Sequence, residues 1–193
     1  MPSLTLEDRV EEYNKTFPAY PKLFASSGWI VGTWVIGNYY RNKSNYYGCY
    51  PHSYLKRIES MFPDCKKVLH LFSGSVQQED TFDINPRHEP TYIGDAHTLS
   101  KIVKQKYDLI LADPPYSEED ADHYGTSMIN RNRVVKECVK ILENGGFLVW
   151  LDQVFPMYRK KELKLVGAIG VIRSTNHRVR TAFIFTKTNQ PDP

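Results

Sequence analysis

Asp113, Pro114, Pro115 and Tyr116 stand together at the end of an apolar run, and side chains of these types suit one kind of chemistry. The exocyclic amino group of a nucleobase is a poor nucleophile because its lone pair is delocalised into the ring, and its two hydrogens need two acceptors. The Asp113 carboxylate is one such acceptor and the Pro114 carbonyl can be the other. Accepting both hydrogen bonds favours the positive charge that builds on nitrogen as it attacks a methyl group, an electrostatic contribution with a general-base component. Tyr116 offers a flat face. Stacking a base on an aromatic ring is worth roughly 1 to 3 kcal/mol and would hold a flipped-out nucleotide.

Such groups need a rigid mount. Residues 107–112 form a run of strand length that is apolar but for Asp108 near its start, the pattern of a strand buried on both faces of a parallel sheet. A residue that precedes proline is pushed to extended backbone, which applies to Asp113 and again to Pro114, so the chain leaves the sheet straight. Ligands of open α/β sheets lie beyond the carboxyl ends of the strands, where Asp113 and Tyr116 then sit.

The tetrapeptide Asp113-Pro114-Pro115-Tyr116 resembles the catalytic motif of amino-group methyltransferases that use S-adenosylmethionine, above all the DNA adenine-specific ones. Other segments resemble that family's motifs in the family's order. Residues 51–62 read as a proline-led helix with Tyr54, Leu55, Ile58, Met61 and Phe62 as its apolar stripe. With Tyr50, Pro51, Tyr54 and Arg57 it resembles the helix that covers the methionine end of the cofactor. Residues 67–75 read as a strand entering a glycine turn, and they resemble the cofactor loop, with Phe72, Ser73 and Gly74 in the family's places. That loop departs from the family at two positions: His70 stands where an acid is usual, and Val76 where a second glycine is usual. Asp83 resembles the acid that receives the ribose hydroxyls, and Asp95, followed by Ala96, the acid that hydrogen-bonds the adenine amino group. Asp113 itself borders the cofactor in this resemblance.

Asp83 follows Gly74 by nine residues, whereas the ribose acid of a dinucleotide-type unit trails by about 20. The usual first crossover helix has no room, and the loop is expected to run directly to the second strand. A connecting helix is read over 98–106, a long helix over 127–143 ending at Asn144-Gly145-Gly146, a fifth buried strand over 147–151, and a basic helix over 156–163. Asp152 and Gln153 are expected to line the pocket. Strands 165–172 and 179–187 suit an antiparallel hairpin at the sheet edge. Between them Arg173, Asn176, His177 and Arg178, with Arg180 just beyond, carry the strongest local positive charge and are expected to touch phosphate. The acidic stretch 117–125 reads as a flap over the base pocket, with Tyr124 lining it.

The fold expected is a Rossmann-like, seven-stranded class I methyltransferase sheet, mostly parallel, within a single domain 1–193. Residues 1–50 form its aromatic-rich N-terminal extension, packed on or beside the active site, with a helix over 4–15. A net charge of +3 permits nucleic acid as a partner without requiring it. Three scattered cysteines without CxxC spacing suggest neither disulfides nor zinc, and His88 and His97 have no second ligand pair at helical spacing. The acidic start and an apolar stretch too short for a bilayer point to a cytoplasmic protein.

The activity implied is S-adenosylmethionine-dependent methyl transfer to the exocyclic amino group of adenine in DNA. RNA methylation at an adenine or guanine amino group is the nearest alternative, and a noncatalytic nucleic-acid-binding subunit is another. The chain between Gly74 and Asp113 has no room for a separate target-recognition domain, so the aromatic segment 28–50, the 173–180 loop or a partner subunit must read the target.

Overall fold

Helix α1 (Leu6–Thr16) starts where Thr5 and Asp8 cap each other, the Asp8 amide donating to the Thr5 hydroxyl and the Thr5 amide to the Asp8 carboxylate. Its inner face carries Val10, Tyr13 and, unexpectedly, Arg9. The Arg9 guanidinium is buried against the Phe62 and Phe147 rings and pairs with Asp64 at 2.7 Å. Burial alone would raise the Asp64 carboxyl, but Arg9 and the Leu4 and Ser3 amides outweigh it and hold the group at about 2. The computed structural model describes residues 2–37, 50–51, 53–116, 128–173 and 179–188.

Among the described residues, nine strands form one mixed sheet. They are β1 (Phe24–Ser26), β2 (Trp29–Ile36), β3 (Val68–Leu71), β4 (Asp80–Asp83), β5 (Tyr92–Ile93), β6 (Tyr107–Ala112), β7 (Leu142–Asp152), β8 (Leu163–Arg173) and β9 (Val179–Lys187). Their order is β1-β2-β8-β9-β7-β6-β3-β4-β5, and β2 through β8 run parallel where they pair with one another, while β9 and β1 are reversed. The parallel alternating architecture expected from the sequence is present, with two strands more than the seven expected. Those two come from the N-terminal segment, and they correct the expectation of an edge hairpin at β8–β9. Strand β2 pairs with β8 from Ile30↔Gly167 to Ile36↔Arg173 and so covers that edge. Gly167 permits this approach, since a Cβ there would lie 3.0 Å from the Ile30 carbonyl oxygen.

Between β3 and β4 the chain makes only turns, so the crossover helix is absent as the short spacing required. Helix α2 (Tyr54–Met61) packs with α1 on one face of the sheet, over Trp34, Leu109, Leu111 and Phe147. The other face holds α3 (Leu99–Ile102) and α4 (Arg131–Ile141), over Leu69, Leu71, Ile110 and Trp150.

Three expected helices differ. The one over 98–106 shrinks to the four residues of α3, because Val103 turns extended into the core and Gln105 reaches back to Asp80 and Tyr107. The described part of 127–143 is helical only from Arg131 to Ile141, after which β7 begins at once. The basic helix over 156–163 does not form. Phe155 lies against Phe183 and Tyr158 against Phe185, at 4.9 and 5.0 Å, and the Arg159 carbonyl closes a turn with the Glu162 and Leu163 amides. Arg159, Lys160 and Lys161 have no apolar stripe that would hold them as a helix.

Candidate active site

All parallel strands end on one edge, which collects the sequence-predicted residues. Asp113 continues β6, and Pro114 behind it is buried. The Tyr116 hydroxyl donates to Asp113 Oδ1, so the phenol folds back over the carboxylate. The Arg180 guanidinium lies 4.2 Å from the centre of the Tyr116 ring, a cation–π contact. Arg180 is itself buried on β9, with its Nε lacking a hydrogen-bond partner. Arg173, at the end of β8, is lowered by burial and by the Arg180 charge, and raised by Asp113, so both arginines and the carboxylate share one electrostatic neighbourhood.

Aromatic side chains wall the same side. Tyr50 stacks on Tyr54 at 5.5 Å and 9°, and its hydroxyl donates to the Leu111 carbonyl at 3.3 Å. Burial first, and the nearby Asp113 charge second, push both phenols well above the usual tyrosine range, so they remain neutral donors. Pro51, next in the chain after Tyr50, is buried.

The ends of β3, β4 and β5 form a second, more polar half. His70 is fully buried, edge-on to Tyr50 at 6.2 Å, and its Nε2 is 3.1 Å from Glu79 Oε2. The next residues, Phe72 and Gly74, both take positive φ, 60° and 53°, which a non-glycine residue such as Phe72 rarely adopts. The Ser73 hydroxyl is buried without a partner. The Gly74 amide donates to Asp83 Oδ2 at 2.9 Å and the Asn85 amide to Oδ1 at 2.8 Å, so Asp83 ties the loop to the end of β4 and keeps further lone pairs. Asp95 caps the 3-10 turn that starts at Ala96, accepting from the His97 amide at 2.9 Å, and it is exposed toward solvent. Burial raises Asp95, but the His97 bonds outweigh it and leave the carboxyl lowered.

One expectation is corrected. Asp152 does not line the pocket. It is fully buried, bound by Arg131 Nε at 2.7 Å and Nη2 at 3.2 Å, by Trp150 Nε1 at 3.1 Å, and by the Gln153 and Val154 amides. Arg131 Nη2 also reaches the Tyr116 carbonyl at 3.4 Å, linking this ion pair to the tetrapeptide. Tyr124, Asn176, His177 and Arg178 lie outside the described residues, as does the acidic stretch 117–125. Among the described residues, no group of three or more histidine, cysteine or acidic side chains is arranged to hold a metal ion, and no helix is long and apolar enough to cross a membrane.

Reasoning from the sequence missed Arg131 and Glu79 and grouped Arg180 with the loop cations. A signal existed for Arg180, since it occupies the buried parity of β9 together with Ala182 and Ile184, where a charge is unusual. Glu79 and Arg131 carry none, because their partners are set by tertiary contacts.

No family model and no curated protein matches this sequence. Solved structures match it at low identity. TrmN from Thermus thermophilus is 17% identical with a TM-score of 0.44, over 62% of this chain and 43% of its own, so this chain spans under half of TrmN. The N-methyltransferase NodS from Bradyrhizobium japonicum WM9 is 15% identical over 65% of this chain and 87% of its own, with a TM-score of 0.44. An rRNA methylase from Streptococcus thermophilus is 8% identical over 64% and 88%, with a TM-score of 0.40. Likeness of this degree leaves the function to the chemistry of the site.

Proposed function

We propose that this protein transfers a methyl group from S-adenosylmethionine to the exocyclic amino group of adenine in DNA. One observation carries the reading: a carboxylate at the carboxyl end of a buried parallel strand stands beside an aromatic ring whose far face a guanidinium backs. The residues over β3, β4 and β5 fit the donor. The orphaned Ser73 hydroxyl, the positive-φ turn at Phe72 and Gly74, and the spare lone pairs of Asp83 and Asp95 offer acceptors for a ligand rich in N–H and O–H groups. When bound, S-adenosylmethionine supplies an electrophilic methyl on a sulfonium.

The chain's own groups do the rest. Asp113 Oδ2 and the Pro114 carbonyl are the acceptors we assign to the two amino hydrogens, which keeps electron density on nitrogen as it becomes positive. Asp113 Oδ1 stays engaged by the Tyr116 hydroxyl, so the carboxylate is oriented before substrate arrives. Tyr116 presents one ring face to the base, with Arg180 behind it, and the Arg131–Asp152 pair anchors its carbonyl. Arg173 and the loop residue Arg178 contribute positive charge for the phosphates flanking the target nucleotide, and Asn176 and His177 offer hydrogen bonds to them. Binding both reactants in one orientation supplies the remaining acceleration.

Transfer of radiolabelled methyl to DNA, RNA and protein tests the reading. DNA labelled at adenine N6 is the expected result; labelled RNA alone moves the substrate to the alternative polymer, and labelled protein alone or no label overturns base methylation. Asp113→Ala is expected to lower transfer at least 10²–10³-fold, with S-adenosylhomocysteine affinity near that of the unaltered protein. Equal loss of both would mean that Asp113 holds the cofactor rather than the amino group.

A further inference from the structure

Replacing the first crossover helix by a tight loop has a chemical consequence at His70. The loop returns Glu79 to the start of β4 with a φ of 60°, a left-handed conformation that a glutamate adopts only when its surroundings hold it there. The Glu79 carboxylate thereby reaches His70 Nε2 at 3.1 Å. A carboxylate can only accept, so Nε2 carries the proton and Nδ1 keeps its lone pair. His70 Nδ1 is buried and has no partner. Burial lowers His70 to about 4, against a smaller opposing effect of Glu59, so the ring stays neutral at physiological pH and Nδ1 stays an acceptor.

A buried acceptor without a partner carries a desolvation cost that a ligand donor would relieve. The neighbouring Ser73 hydroxyl, also buried and unpartnered, lies three residues on, in the turn that follows β3. We infer that His70, held in a single tautomer by Glu79, accepts a hydrogen bond at Nδ1 from a cationic N–H donor of the ligand bound over β3. Under the methyl-transfer reading, on which this rests, that donor is the α-ammonium group of the cofactor. A neutral imidazole with a carboxylate behind it then stands in for a direct carboxylate, and the ammonium meets a dipole whose basicity Glu79 raises, as an outer carboxylate does for a metal-bound histidine.

Two near-isosteric substitutions separate the ring nitrogens. Asn at this position puts a polar atom where Nδ1 stood, whereas Gln puts one where Nε2 stood and keeps only the Glu79 contact. Calorimetry is run with S-adenosylhomocysteine and with an analogue lacking the α-amino group. His70→Gln is expected to weaken S-adenosylhomocysteine at least tenfold and leave the analogue unchanged, while His70→Asn stays within about threefold for both. Independently, ¹⁵N spectra of the imidazole are expected to show protonated Nε2 and unprotonated Nδ1 in the free protein, with the Nδ1 resonance shifting on binding S-adenosylhomocysteine but little on binding the analogue. Equal weakening of both ligands by His70→Gln, or no weakening, overturns the inference while leaving the donor reading intact. Failure of the unaltered, folded protein to bind S-adenosylhomocysteine overturns the donor reading and this inference together.

Discussion

The edge that carries the site has two halves built on different physical terms. Over β3, β4 and β5, the polar groups sit at strand ends and on the short turns between consecutive strands, and two of them, His70 Nδ1 and the Ser73 hydroxyl, are buried with hydrogen-bonding capacity to spare. Over β6, β7, β8 and β9, charged side chains from distant parts of the chain lock one another: Arg131 on Asp152, Arg180 on Tyr116, and the Tyr116 hydroxyl on Asp113. The first half is a set of acceptors poised for a ligand. The second is a braced frame of one aromatic ring and one carboxylate, the part that the proposed methylation of a base would use for positioning.

Removing the brace tests this contrast most severely. Asp152→Ala removes the buried acceptor of the partly buried Arg131 guanidinium, the Trp150 indole N–H and two amides, and a loss of about 3 kcal/mol of unfolding free energy is expected in urea denaturation. A change within about 1 kcal/mol would mean that the pair is solvated and braces nothing.

On the polar half, the expected effect is on pH dependence. His70 is depressed from 6.5 to about 4 by burial, so between those values the unfolded chain holds a proton that the folded chain does not. Stability is then full above about pH 6.5 and falls as pH drops toward 4, by about 3 kcal/mol in total. His70→Asn removes the titrating group and should flatten that slope, as read from denaturation midpoints at about pH 6.5, 5.5 and 4.5. An unchanged slope would show His70 to be solvated.

The smallest expected effect is at Arg180. Arg180→Met keeps the apolar stem but removes the cation from the Tyr116 ring, which is worth about 0.5 to 2 kcal/mol at a partly desolvated site. Under the proposed function, apparent affinity for DNA should fall several-fold while cofactor affinity holds. A matching fall in cofactor affinity would erase the division between the halves.

Residues 107–116 made the centre of the fold legible, because a run that is apolar but for Asp108 and is followed by Asp-Pro-Pro admits few backbone paths. The missing crossover helix was legible too, since nine residues from Gly74 to Asp83 span two strand ends with nothing to spare. The basic run 159–161 misled, because helical propensity without an apolar stripe yields to the packing of Phe155 and Tyr158 on β9. The position of β2 was illegible: Trp29–Ile36 alternates as a strand, but nothing local says that it pairs with β8 and moves the hairpin inward.

By itself, the sequence determined which groups stand at the mouth of the sheet wherever they end a strand or follow it closely, as Asp83, Asp113 and Gly74 do, because chain connectivity leaves them nowhere else to go. Only the tertiary structure decided which partners those groups have: Glu79 on His70, Arg131 on Asp152, Arg180 on Tyr116. Hydrogen bonds and ion pairs act over a few ångströms in space and are indifferent to separation along the chain.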